Sequence, residues 1–396
     1  MTILFYKDNE IIPHAGGISR INCNLRDALV KRGHSCFFLS STQNKSVAPD
    51  DCQHWLPDLY QVDSKENVLW LYDFIIENKV DVIINSVFDR ASVQMLDEAR
   101  KKTPCKLITW IHNNIVEYGS LIGYRHELSL RKKHLGFVFQ LMTFRCVVNS
   151  LRLLSKRKHT STAQMCYQCS DRVIVVCDGN IKEFLYLLGH TDAQNKVMSI
   201  SNFVPTLNEE VVMVEKAYNV VWCGAVDFEL KKTNWMLEIW RNIQALHPQW
   251  TLTIMGDSKH LDEMKRYASD LDVKRVIFTG RVNPSTYYRK ASIICSTSIS
   301  ESFGLTMVEG MQSHAVPVAF ASSPAIRDVV GYNGRLIKPY DKKKFSDELS
   351  KLMGNTSHRE FLAEKCRNAS KQYEEEQILK LWDKLLQIVC KNRETL

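Results

Sequence analysis

The chain has 396 residues, 45% hydrophobic and 24% charged, with 52 Lys and Arg against 44 Asp and Glu. This length suits two domains, and the ordinary composition excludes a disordered or fibrous chain. No apolar run approaches the ~20 residues that span a bilayer, and the first residues lack the basic and apolar segments of a secretory signal. We therefore expect a cytoplasmic protein.

The twelve cysteines are scattered along the chain, often within apolar runs. This distribution predicts buried thiols in a reducing compartment and argues against a disulfide scaffold. Cys166 and Cys169 form one CxxC pair, but no second pair or nearby histidine set would complete a zinc site. The cysteines therefore predict no metal centre.

Short apolar strands alternate with helical patterns in the first half of the chain. Ile3–Phe5 is a predicted strand, and a helical pattern then runs from Ile18 to a stop at Gly33. The later apolar runs are Phe37–Leu39, Val82–Ile84, Leu107–Thr109 and Val173–Val176. Such alternation predicts a parallel sheet covered by helices on both faces.

An acidic stretch after Pro205 interrupts this pattern, which restarts at Val220. The later runs are Leu252–Met255, Val276–Phe278, Ile293–Cys295, Val316–Phe320 and Leu336–Ile337. We therefore expect an α/β protein of two Rossmann-like halves joined near residues 203–218. An amphipathic helix is predicted from Tyr373 to Cys390.

The stretch Glu301-Ser-Phe-Gly-Leu-Thr-Met-Val-Glu309 reads as a loop that opens a helix after a buried strand. Glu309 then lies about two turns into the helix, since 3.6 residues make one turn. The backbone N–H groups near Gly304 suit a phosphate, and Glu309 can accept hydrogen bonds from a ribose diol. A capped helix with solvated glutamates is the structural alternative.

This stretch resembles the E-x7-E signature of retaining, family-4 glycosyltransferases (glycosyl transferases group 1) of the GT-B fold. The resemblance covers most of the chain and is strongest between about residues 217 and 340. It implies two Rossmann-like domains facing each other across a cleft. Residues 1–203 would bind the acceptor, residues 204–372 would bind the nucleotide sugar, and the helix in 373–396 would pack back on the first domain.

The resemblance assigns donor roles to five residues of this stretch. Glu309 would bind the ribose, backbone N–H groups of Phe303, Gly304 and Leu305 would bind the distal phosphate and sugar, and Glu301 would orient the donor sugar. Three further sites in the chain match the family. They are Gly16 and Gly17 beside the diphosphate, His112 beside the reacting sugar carbon, and Arg281 in the loop that holds the base.

The stretch Cys223-Gly-Ala-Val-Asp-Phe-Glu-Leu-Lys-Lys232 resembles the family's pyrophosphate grip. A lysine there neutralises the phosphate leaving group. Lys232 is the first choice and Lys231 the second, with a solvated lysine pair as the alternative. Many members carry an arginine after the glycine, where this chain has Ala225. Both lysines, or Arg281, would then have to compensate.

Metal and cofactor are not expected. Asp270 and Asp272 match a DxD pattern, but they end a polar helix and read as solvated. The GT-B resemblance implies a metal-independent reaction in which the nucleotide sugar is a substrate.

A basic and apolar stretch covers residues 125–158. It carries Arg125, Arg131, Lys132, Lys133, Arg145, Arg152, Lys156, Arg157 and Lys158, opposed by Glu127. This pattern predicts contact with an anionic membrane surface, and the lack of a nucleic-acid module argues against nucleic acid. A helical excursion with a solvated basic face is the alternative.

The resemblance implies a retaining hexosyltransferase that uses a nucleotide sugar, with a UDP-hexose expected because UDP-sugars are the family's commonest donors. The acceptor would be a glycan or a lipid-linked glycan in polysaccharide or lipopolysaccharide synthesis, which suits an enzyme at the inner membrane face. Two alternatives remain at this point: a sugar-nucleotide epimerase on the same fold, and a non-catalytic basic protein that docks on membranes.

Overall fold

The computed structural model describes residues 1–12, 16–43, 52–112, 145–205 and 215–390, and the statements below concern these residues. Contacts divide the chain into two compact units. The first unit includes residues 1–112, 156–202 and 378–390 as far as they are described, and the second includes residues 145–155 and 203–377 likewise.

The first unit contains a seven-stranded sheet in the order β3-β2-β1-β4-β5-β6-β7. All neighbouring strands in it are parallel. The strands are β1 Thr2–Lys7, β2 Ser35–Ser40, β3 Gln53–Trp55, β4 Val82–Asn85, β5 Lys106–Ile111, β6 Arg172–Val175 and β7 Val197–Ser199.

The second unit contains a six-stranded parallel sheet in the order β10-β9-β8-β11-β12-β13. Its strands are β8 Asn219–Cys223, β9 Thr251–Met255, β10 Val276–Gly280, β11 Ile293–Ser296, β12 Val316–Phe320 and β13 Arg335–Ile337. The central strands are buried along their length, as in Ile293–Ser296 and Val316–Phe320. Their apolar runs therefore show no alternation, because helices cover both faces of a parallel sheet.

Helices connect the strands in both units. They are α1 Gly17–Lys31, α2 Lys65–Glu77, α3 Arg90–Arg100, α4 Arg145–Cys169, α5 Asp178–Leu188, α6 Thr233–Ile243, α7 Leu261–Asp270, α8 Ser285–Lys290, α9 Leu305–Gln312, α10 Pro324–Val330, α11 Lys342–Gly354, α12 Thr356–Ser370 and α13 Glu375–Cys390. Polar side chains cap the first turns of several helices. They are Ser64 for α2, Asp89 for α3, Ser323 for α10, Asp341 for α11 and Asn355 for α12.

The last helix, α13, packs on the first unit from Ile378 onward. Trp382 on this helix is fully buried, and its ring lies 4.8 Å from that of Trp110 on β5 in an edge-to-face contact. Asp383 forms an ion pair with Arg32, which follows α1. The helix therefore completes the core of the unit that contains the chain's first residues.

Within the described ranges, the structure shows neither a membrane-spanning helix nor a metal site. None of the described helices is long and apolar enough to cross a membrane. The cysteines of those ranges are free thiols, and no group of His, Cys, Asp or Glu side chains there has the arrangement of a metal site.

Candidate active site

Loops at the C-terminal edge of the second sheet approach one another closely. Gly224 follows β8, and its N–H donates to the carbonyl of Met255 at the end of β9 (3.0 Å). Gly256 has a φ of +139°, and a Cβ atom there would lie 1.8 Å from the carbonyl oxygen of Gly224. Glycine at position 256 therefore permits this approach, because any side chain would collide with the neighbouring backbone.

The loop from Gly224 to Lys232 is organised around one carboxylate. Oδ1 of Asp227 accepts hydrogen bonds from the N–H groups of Glu229, Leu230, Lys231 and Lys232 at 2.7–3.3 Å. The N–H of Asp227 donates to Oγ1 of Thr233 (3.1 Å), and the carbonyl of Asp227 accepts a hydrogen bond from the N–H of Thr233 (2.9 Å). Asp227 thus fixes the backbone that carries both lysines.

Lys231 and Glu301 form an ion pair at this edge. Nζ of Lys231 lies 2.6 Å from Oε1 of Glu301, which also accepts a 2.6 Å hydrogen bond from Oγ of Ser298. The two side chains are 24% and 15% exposed. The aliphatic part of Lys231 lies close to Gly224, since a Cβ there would be 3.7 Å from Cγ of Lys231. The ion pair of Lys231 and Glu301 is therefore partly screened from water but still accessible from the solvent.

Lys232 lies in a different environment from its neighbour. It precedes α6 with a left-handed backbone (φ 52°, ψ 48°) and is fully buried. Its Nζ donates to the carbonyl of Phe228 (2.6 Å) and lies 5.2 Å from the centre of the Trp235 ring. In this conformation the ammonium group of Lys232 stabilises the loop from inside.

Thr297 connects the lysine loop to the loop that carries Glu301. Its Oγ1 donates toward the carbonyl oxygens of Lys231 and Lys232, each at 3.0 Å, and accepts a 3.1 Å hydrogen bond from Nε1 of Trp222. The N–H of Ile299 donates to the carbonyl of Leu230 (2.9 Å). These hydrogen bonds fix the position of the lysine loop relative to the loop that carries Glu301.

Helix α9 begins at the same edge. Its N-cap is Gly304, with a φ of +89°, and a Cβ there would lie 2.5 Å from Cδ1 of Ile326. Leu305 is the first helical residue, and the first N–H groups of a helix have no partner within it. The ring of Phe303 is buried, and its centre lies 5.6 Å from that of Tyr373. Glu309 is partly buried and lies one turn beyond Leu305. The expected two turns were wrong, because the helix begins only at Leu305.

The remaining predicted positions of the second unit lie on loops. Arg281 follows β10 and is exposed. Ala225 is exposed and follows Gly224, so no arginine side chain extends from this position. Asp270 ends α7, and Asp272 beyond it pairs with Lys274 at 2.5 Å with a 78% exposed side chain. The DxD pattern is therefore at a solvated helix end.

Two predicted positions lie at the C-terminal edge of the first sheet. Gly16 is the N-cap of α1 with a φ of 112°, and Gly17 is its first residue. His112 directly follows β5, is 2% exposed, and its ring centre lies 4.1 Å from that of Trp110. Burial, assisted by the charge of Lys7, lowers the pKa of His112 to about 3. Its ring is therefore neutral near pH 7.

The structure thus brings Lys231, Glu301 and the start of α9 together in the second unit, and it places Gly16, Gly17 and His112 on one edge of the first. Residues 113–144, which include most of the basic stretch, lie outside the described residues. In the described part, Lys156 lies 4.7 Å from the centre of the Tyr186 ring, and Arg157 is exposed.

Three residues of the site were not identified from the sequence: Asp227, Ser298 and Thr297. Each acts through hydrogen bonds to backbone groups or to one carboxylate, which leaves no spacing pattern. An aspartate followed by a polar loop before a helix is a weak signal for such a turn.

Comparisons with known proteins show which family and which fold the chain resembles. Residues 217–355 match the family described as Glycosyl transferases group 1. An uncharacterized glycosyltransferase of Haemophilus influenzae is 24% identical over 380 residues, which cover 95% of this chain and 97% of the relative.

Two solved structures share the fold over nearly the whole chain. The apo form of the lipopolysaccharide outer core galactosyltransferase WaaB has a TM-score of 0.65 at 16% identity, covering 97% of this chain and 98% of that one. Anabaena Alr3699/HepE in complex with UDP and glucose has a TM-score of 0.71 at 14% identity, covering 98% and 99%. The predicted GT-B fold is confirmed, and the chain is a glycosyltransferase whose residues 217–355 match the group 1 glycosyl transferases.

Proposed function

We propose that the protein transfers a hexose from a UDP-sugar to a glycan or glycolipid acceptor, with retention of the anomeric configuration. The observation that carries this proposal is the cluster of Lys231, Glu301 and Ser298 beside the N-terminus of α9. It combines a cation, a helix start and carboxylates in the domain that matches the glycosyltransferase family.

The second unit supplies the groups that a nucleotide sugar requires. The N–H groups from Phe303 to Leu305 bind the distal phosphate, because a helix N-terminus favours an anion. Glu309 accepts hydrogen bonds from the ribose hydroxyls, and Glu301 from the hexose. Arg281, which is exposed after β10, contributes a positive charge from the loop beside the base.

Lys231 is the cation for the leaving diphosphate in this proposal. Its Nζ forms an ion pair with the carboxylate of Glu301 at the edge of the sheet. Nζ of Lys232 instead donates a hydrogen bond to the carbonyl of Phe228 inside the loop. The sequence alone favoured Lys232, and the geometry of the described residues favours Lys231. Its side chain also passes along Gly224, next to Ala225, where many family members have an arginine.

In the first unit, His112 and the turn at Gly16 and Gly17 are proposed to contact the donor. A neutral imidazole can accept or donate a single hydrogen bond to a sugar hydroxyl. The pKa of His112, lowered to about 3 by burial, keeps the ring in this form across the physiological range. The glycine turn lets backbone N–H groups approach a phosphate.

The reaction follows from these roles. The bond between the anomeric carbon and the diphosphate oxygen breaks, and a bond to the acceptor oxygen forms on the same face. The acceptor proton passes to the departing phosphate, so no protein carboxylate has to act as a nucleophile. Lys231 and the α9 N-terminus stabilise the negative charge that develops on the diphosphate.

Metal independence is part of the proposal. The charge that a divalent cation would neutralise is met by Lys231 and by the helix N-terminus. The aspartates of the DxD pattern are at the solvated end of α7 and away from these groups in sequence. No cofactor is required, because the nucleotide sugar is itself the substrate.

Two structural neighbours support the choice of substrates. WaaB is a lipopolysaccharide outer core galactosyltransferase, and the HepE complex contains UDP and glucose. We therefore infer a hexose, a UDP donor and an acceptor of polysaccharide or lipopolysaccharide synthesis. The basic stretch 125–158 would hold the cytoplasmic enzyme at the inner membrane face.

A binding and turnover experiment tests the proposal. The protein is incubated with UDP-glucose and UDP-galactose in EDTA, and released hexose is followed by NMR. Slow hydrolysis that gives the α-anomer first is expected, because the common donors are α-linked. Release of the β-anomer first would contradict retention, activity restored by Mn²⁺ would contradict metal independence, and interconversion of the two donors without release would indicate an epimerase.

Calorimetry with UDP tests the ribose contact separately. Glu309→Ala should weaken binding by about 1.5–3 kcal/mol, the range for hydrogen bonds to a charged group. Glu360→Ala, at an exposed position on α12, serves as the matched control. Equal affinities for parent and Glu309→Ala would remove Glu309 from the nucleotide site.

A further inference from the structure

A buried carboxylate lies at the C-terminal edge of the first sheet. Glu10 follows β1 and is 7% exposed. Its Oε1 accepts a 2.7 Å hydrogen bond from Nε1 of Trp55, the last residue of β3. Its Oε2 is buried and has no hydrogen-bond partner within the described part of the chain. The roles assigned above use neither residue.

The unpaired oxygen of Glu10 requires an explanation. A buried polar atom without a partner is rare in native proteins, because removing it from water is costly unless a hydrogen bond replaces the lost ones. A carboxylate oxygen can only accept hydrogen bonds when ionised, so its partner must be a donor. A bound ligand with a donor group satisfies this requirement.

The backbone before Glu10 is fixed in place. The carbonyl of Asp8 accepts hydrogen bonds from the N–H groups of Ser41 and Thr42, which follow β2, and from both their hydroxyls, all at 3.0–3.2 Å. Oγ1 of Thr42 also lies 3.2 Å from Oδ1 of Asn9. These bonds join the ends of β1 and β2, so Glu10 is held on a rigid support, as a specific binding site requires.

The position and chemistry of the pair indicate the class of ligand. Open parallel sheets bind ligands at the carboxyl ends of their strands, and Glu10 and Trp55 both lie at such ends. A carboxylate repels phosphate, which excludes the diphosphate of the donor. A sugar ring offers hydroxyl donors on its edge and an apolar C–H face, and the partly exposed indole of Trp55 suits that face.

We propose that Glu10 and Trp55 form a subsite for a neutral pyranose ring of the acceptor, with Oε2 of Glu10 accepting a hydrogen bond from a ring hydroxyl. This inference rests on the proposed function. The ring is assigned to the acceptor because other residues already fill the roles proposed for the donor: the second unit binds the ribose and the phosphate, the turn at Gly16 and Gly17 approaches the diphosphate, and Glu301 and His112 contact the donor sugar. Glu10 is then a specificity-determining residue, since only a hydroxyl at the correct ring position reaches its oxygen.

Acceptor kinetics test the subsite. The probes are p-nitrophenyl α- and β-hexosides, with the UDP-hexose that the parent hydrolyses as donor. Glu10→Ala should raise the acceptor KM by about tenfold to hundredfold, the loss expected for a hydrogen bond to a charged group. Glu10→Gln, which keeps the shape and can still accept from Trp55, should raise it less. Affinity for UDP, measured by calorimetry, should stay within about twofold of the parent value.

Two further variants separate binding from folding. Trp55→Phe keeps an aromatic ring but removes the N–H that holds Glu10, and it should raise the acceptor KM. Glu77→Gln replaces an exposed glutamate at the end of α2 and is the matched control. Circular dichroism and melting temperatures establish which variants are folded, and Glu10→Gln keeps the test valid if Glu10→Ala does not fold.

The possible outcomes are distinct. An unchanged acceptor KM in folded Glu10→Ala or Glu10→Gln overturns the inference, as does a parallel loss of UDP affinity, which would indicate a structural role. A parent that hydrolyses UDP-hexose but glycosylates none of the probes also overturns it. A parent that neither binds UDP nor hydrolyses any UDP-hexose contradicts the proposed function, and the inference then fails with it.

Discussion

Lys231 and Lys232 are neighbours in sequence but differ in exposure and in partner. Lys231→Met should weaken UDP binding by about 1.5–3 kcal/mol, because it removes a charged donor from the phosphate. Lys232→Met should instead lower the melting temperature, since Lys232 is fully buried and bonded to Phe228. Calorimetry and thermal unfolding of both variants measure these effects.

Lys265→Met, with a 48% exposed lysine on α7, is the control for this pair. It should match the parent in both measurements. Loss of UDP binding in a stable Lys232→Met protein, with normal binding in Lys231→Met, would reverse the assignment of the two lysines.

The buried His112 makes the free energy of unfolding depend on pH, and a variant without this histidine can isolate its contribution. Its pKa is about 3 in the folded protein, against an ordinary value of 6.5 for histidine. Between these values the unfolded chain binds a proton that the folded protein does not, so the free energy of unfolding falls as the pH drops below about 6.5. His112→Gln should lack this contribution.

Urea unfolding from pH 7 to pH 4 measures the effect as the difference between parent and variant. His190→Gln, at an exposed position of the same unit, shows what loss of a surface histidine does. Identical pH slopes for the parent and His112→Gln would contradict the assigned pKa shift.

Among the structural elements, the loop between β8 and α6 depends most on a single side chain. Asp227→Ala removes the acceptor of four backbone N–H groups. We expect the loop to lose its shape and UDP affinity to fall about tenfold or more, because each lost hydrogen bond is worth about 1 kcal/mol. Asp227→Asn keeps Oδ1 and should restore most of the affinity.

Asp257→Ala, at an exposed loop position after β9, is the control for the loop variant. Hydrogen exchange of residues 227–232 reports directly on the loop. Unchanged exchange and affinity in Asp227→Ala would show that Thr297 and Thr233 alone hold these residues.

The elements show what sequence patterns can and cannot predict here. The central strands were predicted because both their faces are buried, which produces continuous apolar runs such as Val316–Phe320. The three-residue strands Gln53–Trp55 and Val197–Ser199, at the two edges of the first sheet, were missed. Short edge strands carry little apolar signal, since only one side pairs with a neighbour.

The same contrast applies to the site. Glu301 and Glu309 were predicted as site residues because a Ser-Phe-Gly core lies between them and a strand, a loop and a helix follow one another around them. The environments of Lys231 and Lys232 were not predictable, because the left-handed backbone at Lys232 depends on the bonds made by Asp227 and Thr297. Glu10 lies outside any motif, and its burial against Trp55 arises from the order of the strands.

At the scale of the whole molecule, the stretch 125–158 carries nine basic residues against one acidic residue, a local charge that equals the formal charge of +8 of the whole chain. If the stretch 125–158 meets anionic lipid, each basic residue contributes about 1 kcal/mol near the surface. Replacement of six bases by Gln should therefore release the protein from vesicles that contain phosphatidylglycerol. The six are Arg131, Lys132, Lys133, Lys156, Arg157 and Lys158.

A control with equal charge makes this prediction specific to the stretch. Six exposed lysines of the second unit are replaced by Gln, which lowers the net charge by the same amount: Lys259, Lys265, Lys274, Lys343, Lys344 and Lys351. Vesicle flotation should show release of the first variant and retention of the second, and added salt should weaken parental attachment through screening. Equal release of both variants would indicate that net charge alone drives attachment, and equal binding of the first variant and the parent would make the stretch a solvated face. Loss of UDP-hexose hydrolysis in the folded first variant would instead place these bases in the active site.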